Sequence, residues 1–227
     1  MLPGHIDTVS ANVELYNTNP FELTKIDGKA YGIGTIDMKS FIAIILDNIE
    51  LIKKLETPVI LALTTDEETN LKSIELMIEK FKQLDIKPKF TIIGEPTNSQ
   101  FCITSNACYE YSAKFLGKSC HSSKLYQGTN AICACAKFIN HIENSQKKYR
   151  LTSNCGFIYG GEVVNKVPDY TELSFDIRSI YQNDIQMFLN DIQNFKNKLI
   201  YDYDDLKIEI TKKLSIPALN MLNNKKY

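Results

Sequence analysis

In MKSFIAIILDNIELIKKLE, residues 38–56, apolar side chains recur at Phe41, Ile42, Ile45, Ile49, Ile52 and Leu55. That spacing stays on one face of a 3.6-residue repeat and predicts a helix. VILALT, 59–64, is an unbroken apolar run that reads as a buried strand. A second helical stripe, over about 71–85, carries Ile74, Met77, Ile78, Phe81 and Leu84. FTIIG, 90–94, reads as another short strand. Buried strands alternating with amphipathic helices predict a parallel α/β sheet. Ligands of such sheets gather outside the carboxyl ends of the strands. Asp66, Glu67 and Glu68 follow one expected strand and Glu95 follows the other, so the acids fall on that edge.

From about residue 101 the period changes. In YEYSAKF, Tyr109, Tyr111, Ala113 and Phe115 alternate with Glu110, Ser112 and Lys114, a strand with one wet face. A helix is predicted over about 129–147, a strand over 154–161, and an alternating strand in ELSFDIRS. A helix over about 184–199 and a last strand in LKIEITKKL complete the series. The order β-α-β-β-α-β is the ferredoxin-like arrangement. The expected architecture is therefore α/β: a partial parallel-sheet domain over 1–100, then a ferredoxin-like domain over 101–214.

Composition narrows the functional classes. Hydrophobic residues make up 44% and charged residues 23% of the 227, ordinary for a globular chain. A net charge of -1 gives no electrostatic case for nucleic acid or an anionic membrane as partner. No apolar run reaches the length of a membrane span. The six cysteines form no CxxC pair and read as reduced cytosolic thiols, mostly buried.

Four short stretches could carry chemistry: GHIDTV with His5 and Asp7, GIGTIDMKS with Asp37, TTDEET with Glu67 and Glu68, and GEPT with Glu95. Each has an ordinary reading alone. An aspartate before a helix is usually a cap, and a lone histidine or loop glutamate needs no ligand. Together they suit a two-metal hydrolase, because Zn²⁺ accepts imidazole and carboxylate ligands and one carboxylate can bridge two ions about 3.5–4 Å apart. If the backbone is extended, Glu67 and Glu68 point to opposite sides, one to metal and one to water. Asp7 is close enough in sequence to orient the His5 ring.

These stretches, in order, closely resemble the zinc-dependent aminoacylase and carboxypeptidase superfamily. Within it, GTIDMKSFIA and LALTTDEET look most like the acetylornithine deacetylases. The likeness continues through CYEYSAKFLGKSCHSS, GTNAI, GGEVVNKVP and FDIR and covers nearly all of the chain. The resemblance implies that His5, Asp37 and Glu95 hold one metal, with Asp37 bridging to a second held by Glu68. Two Zn²⁺ per site are implied, with Co²⁺ as the alternative metal. It makes Glu67 the general base and Asp7 the partner of His5. It makes the second domain a lid and homodimerisation module whose His121 and Asn165 reach the partner subunit's site. Arg178 becomes a candidate for gripping a substrate carboxylate; the plainer reading pairs it with Asp176 or Glu172 on the strand surface.

The implied reaction is metal-dependent hydrolysis of an N-acyl amino acid, with N-acetylornithine giving ornithine and acetate. N-succinyl-diaminopimelate is the rival substrate. Departures from the family pattern include Ser40 and Asn70 in place of glycine, and SNA at 105–107. Only three residues precede Gly4, so His5 is expected to fray. Residues 215–227 read as the start of a return to the first domain, and no histidine follows His141 to serve as the second metal's last ligand. A non-catalytic remnant or dimerisation module is the competing expectation.

Overall fold

In the computed structural model, which describes residues 1–220, the chain divides into two units, Met1–Phe101 and Cys102–Tyr227. The first contains β1 (Leu2–His5), β2 (Thr24–Ile26), β3 (Lys29–Tyr31), α1 (Lys39–Asp47), α2 (Ile49–Ile52), β4 (Leu61–Thr64) and α3 (Lys72–Gln83). Strands β1 and β4 are parallel, in a register that sets His5 opposite Thr64. The expected fraying of His5 does not occur, and the residue is 2% exposed. Backbone pairing explains this. On one edge of β1, Leu2 and Ile6 donate to the carbonyls of Ile60 and Thr64. On the other edge, the Met1 amino group donates to the Phe90 carbonyl at 2.7 Å, and Ile92 N–H donates to Met1 at 3.0 Å. Gly4, having no side chain, lets Ile42 and Met38 of the neighbouring helical segment lie against the strand.

Two local expectations for this unit need correction. The helix expected over 38–56 is interrupted at Asn48, whose side chain donates to the Ile44 carbonyl at 2.9 Å. Residues 90–94 make the backbone bonds to Met1 just described but form no regular strand.

The second unit contains β5 (Thr104–Ser105), β6 (Ala107–Leu116), α4 (Ala131–Ser145), β7 (Thr152–Gly160), β8 (Tyr170–Ser179), α5 (Gln182–Asp202), β9 (Lys207–Ile216) and β10 (Leu219–Asn220). Its main sheet runs β7-β8-β6-β9 and is antiparallel throughout. In β8, Thr171, Leu173, Phe175, Ile177 and Ser179 are buried and the residues between them are not, the period-two pattern of a sheet covered on one face. Phe115, Phe138, Leu173, Ile177, Phe188 and Ile192 are at most 2% exposed and form the core beneath α4 and α5. Strand β9 runs through Ile216, and β10 pairs with β5. The rest of the expected return segment, 221–227, lies outside the described residues.

All six cysteines are free. Burial is not their common property: only Cys135, on the inner face of α4, is buried, while Cys102 and Cys133 are exposed because they fall on a loop and on the outer face of α4. Among the described residues, no helix is long and apolar enough to cross a membrane.

Candidate metal centre

The carboxyl ends of β1 and β4 deliver His5 and the acidic loop to one place. His5 is the last residue of β1, and residues 65–70 after β4 form a turn rather than extended backbone. Alternation therefore does not apply to Glu67 and Glu68. Both carboxylates lie within 4.8 Å of a His5 ring nitrogen and of each other. Asp66 is committed elsewhere, since its two carboxylate oxygens accept the Ser73 N–H at 3.1 Å and hold the first turn of α3. The first acid of DEE thus serves α3, while the other two face His5.

Asp37 and Glu95 complete a second group with His5, again within 4.8 Å. Asp37 directly precedes Met38, the cap residue of α1, and no side chain caps that helix. The ordinary capping role is therefore not the one Asp37 takes; its Oδ1 lies 3.0 Å from His5 Nε2. The Asp37–Met38 peptide bond is cis. Glu95 Oε1 lies 3.9 Å from the same nitrogen. Gly94 fixes the approach of Glu95, because a Cβ there would stand 2.1 Å from the Phe41 ring.

On the other side of the imidazole, Nδ1 faces the Asp7 carbonyl at 3.0 Å and the Asp7 carboxylate at 3.4 Å. The Asp7 carboxylate also accepts the Glu68 N–H at 3.0 Å, tying the acidic turn to β1. Every group facing the two ring nitrogens is thus an acceptor. A neutral imidazole has one N–H and one lone pair. With Nδ1–H donating to Asp7, the Nε2 lone pair would confront Asp37 and Glu95. The arrangement calls for a positive charge at Nε2, either a proton or a metal ion.

The ionisation tendencies follow the same logic. Burial pushes the His5 pKa down, but the Asp37 hydrogen bond, the Asp7 carbonyl and the charges of Glu67 and Glu95 outweigh it, and the net shift is upward. Glu95 is pushed up to about 7, by burial first and then by the Asp37 charge. Glu67 is also raised, by burial and by Glu68, Asp37 and Asp7, against the opposing pull of His5. Asp7 moves the other way: burial would raise it, but backbone N–H donors and His5 win and hold it low. Crowded carboxylates that resist ionising together are a donor set suited to a divalent cation.

The remaining candidates belong to the second unit. His121 starts a short 3₁₀ turn, Ser122–Gln127, and its Nδ1 accepts the Ser123 N–H at 3.2 Å. Ser122 N–H donates to the Asn165 carbonyl at 3.0 Å, so the His121 and Asn165 segments run side by side, with both residues exposed. Arg178 Nε donates to Asp176 at 2.8 Å, which is the plain strand-surface pairing. Sequence reasoning did not single out Met38, Gly94 or the Asp66–Ser73 contact. A signal existed for Gly94, a glycine closing an apolar run immediately before a candidate ligand.

The family model described as Peptidase family M20/M25/M40 matches residues 1–220. An acetylornithine deacetylase of Shigella sonnei (strain Ss046) is 35% identical over 208 residues, covering 84% of this chain and 54% of the relative. An acetylornithine deacetylase of Photorhabdus laumondii subsp. laumondii is 34% identical over 194 residues, covering 79% of this chain and 50% of the relative. The chain thus spans about half the length of the curated relatives it matches. Among solved structures, a tripeptidase from Staphylococcus aureus subsp. aureus Mu50 superposes with a TM-score of 0.73 at 22% identity, covering 99% of this chain and 60% of the other. The aminopeptidase PepT from Bacillus cereus ATCC 10987 gives 0.71 at 18% identity, covering 96% and 58%. At those identities the likeness is one of fold.

Proposed function

Because this chain belongs to peptidase family M20/M25/M40, we propose that it takes part in metal-dependent hydrolysis of the amide bond of an N-acyl amino acid. The substrate we assign is N-acetylornithine, giving ornithine and acetate. Support for the substrate comes from the two relatives at 34–35% identity, both acetylornithine deacetylases. Support for the metal comes from one observation above all: the His5 imidazole is ringed by oxygen acceptors, and His5, Asp37 and Glu95 offer atoms within 4.8 Å of one another that a cation at Nε2 could join.

His5, Asp37 and Glu95 would hold one zinc, and Glu68 with a bridging Asp37 would hold a second. Bound zinc supplies Lewis-acid polarisation of the scissile carbonyl and lowers the pKa of water. Asp7 keeps the proton of His5 on Nδ1, which leaves Nε2 directed at Asp37 and Glu95. Glu67 acts as the general base. Its raised pKa suits a carboxylate that takes a proton from the attacking water and returns it to the departing amine. Water adds its oxygen to the carbonyl carbon, the C–N bond breaks, and the nitrogen leaves protonated.

The second unit, read as a ferredoxin-like lid, pairs with a second copy of the chain. His121 and Asn165, adjacent and exposed, would then stabilise the oxyanion in the partner's site, and Arg178 would meet the substrate carboxylate with the guanidinium nitrogens that Asp176 leaves free.

The test is zinc content per chain together with ornithine release from N-acetylornithine, with N-succinyl-diaminopimelate as comparison substrate. At least one zinc per chain and preferential release of ornithine are expected. Less than one zinc and no release would remove the proposal. Glu67→Gln should retain zinc and lose turnover by about 10²–10⁴-fold, the contribution usual for a positioned base.

A further inference from the structure

We infer that Met38 is a positioning residue whose thioether fixes the backbone of His5 beside Asp37; the inference deepens the metal-centre reading and rests on it for its functional meaning. The starting point is the edge of β1. Successive N–H groups of a strand point to opposite edges. The N–H groups of Leu2 and Ile6 serve the β4 edge. That of His5 points the other way, where among the described residues the backbone pairs at Met1, with Phe90 and Ile92. Among the described residues, no carbonyl accepts the His5 N–H there. It donates instead to Met38 Sδ, at 3.4 Å and away from solvent.

Met38 is suited to this place in three ways. Its side chain is 1% exposed, so no water competes for the N–H. Its methyl group, together with Ile42, packs where Gly4 has no side chain. Its backbone directly follows Asp37, so one residue links the backbone of the imidazole donor to the backbone of a carboxylate donor 32 positions away. A thioether is a weak acceptor, yet a buried N–H with no acceptor at all is costly. The sulfur therefore holds His5 at the depth where Nε2 meets Asp37 Oδ1 at 3.0 Å. A leucine at 38 would keep most of the volume and lose the acceptor.

The experiment compares the full chain with its Met38→Leu variant by two readouts. The first is hydrogen exchange of the His5 amide, with the amides of β4 and the thermal midpoint as controls for the fold. The second is zinc affinity by competition with a chromophoric chelator. Faster exchange at His5, unchanged protection in β4, and zinc affinity lower by about tenfold are expected, the lower end of what supporting groups around metal ligands contribute. Met38→Gln, which restores an acceptor at similar reach, should recover part of that affinity.

Exchange at His5 equal to wild type would overturn the inference, as would faster exchange with zinc affinity unchanged. A loss of protection throughout β4 with no recovery in Met38→Gln would reduce Met38 to core packing and overturn it too. If the wild-type chain takes up no zinc, the proposed function fails separately, and exchange at His5 alone decides whether the sulfur holds that amide.

Discussion

At the scale of single residues, the site is a contest between burial and charge, and its sign can be read through pH. Glu95 is pushed up to about 7 by burial and the Asp37 charge. A carboxyl raised above its unfolded value of 4.5 opposes folding progressively as pH climbs from there to about 7. His5, also raised, contributes stability below its unfolded value of 6.5 and loses it as pH rises through the folded one. The two effects have the same sign. The first unit of the metal-free chain should therefore lose stability between about pH 5.5 and pH 8, and zinc should remove most of that loss by taking the place of the proton at His5 Nε2. Hydrogen exchange of the β1 and β4 amides, with a chelator and then with zinc, checks this; protection that rises with pH in the chelated protein, after correction for intrinsic exchange, would contradict it. Zinc uptake near pH 6.5 should also release protons, measurable as a buffer-dependent binding enthalpy. Of these residues, His5, Asp7, Asp37, Glu67, Glu68 and Glu95 are legible in the sequence as candidates, because each stands beside an apolar run or a helical stripe. Their number is legible too, but not their division of labour. That Asp66 serves Ser73 while its two neighbours face His5 depends on a turn that alternation cannot foresee.

At the scale of elements, legibility follows burial. The second unit's strands read correctly because one face is packed and the other wet, so β8 alternates along its whole length. In the first unit the stripes are less reliable, since α3 has no fully buried residue and the helix over 38–56 breaks at Asn48. The β2–β3 hairpin had a signal that period reading passes over: Asp27 and Gly28 both have positive φ, the two-residue turn that favours Asp-Gly. Two predictions belong here. Asp66→Ala removes the acceptor for the Ser73 N–H and should destabilise the chain by about 1 kcal/mol, the usual cost of a lost helix-start acceptor, with exchange at the start of α3 accelerated; unchanged stability in urea unfolding would count against that role. His141, on α4, stacks on Phe195 of α5 at 3.9 Å and lies 3.3 Å from Asp191. Burial lowers its pKa in spite of Asp191. A histidine lowered on folding keeps its contribution above the unfolded value of 6.5 and loses it as pH falls towards the folded one. The α4–α5 pair should thus weaken on acidification, opposite to the first unit, and His141→Gln should flatten the drop between pH 7 and 5.5 seen by urea unfolding.

At the scale of the whole molecule, the proposed pairing of two copies has a specific edge to use. The main sheet of the second unit ends in β7 on one side and β9 on the other. Strand β9 carries Lys207, Glu209, Lys212 and Lys213, the kind of charged edge that discourages further pairing. Strand β7, TSNCGFIYG, carries no charge at all. Phe157, Ile158 and Tyr159 follow its bulge and are 56%, 52% and 63% exposed. An uncharged, apolar edge left open in this way is either an aggregation liability or an interface. A twofold axis beside β7 would pair it with its own copy and cover these three side chains. The sequence alone could not separate the two edges, because charge density matters only once strand order is known. On the proposed pairing, Ile158→Lys should move the association state towards monomer in sedimentation, while leaving the core under α4 and α5, and hence the far-ultraviolet spectrum, as in the wild type. Lys213→Ile, on the opposite edge, should leave the dimer intact. If Ile158→Lys sediments as the wild type does, or if Lys213→Ile alone changes the association state, β7 is not the pairing edge.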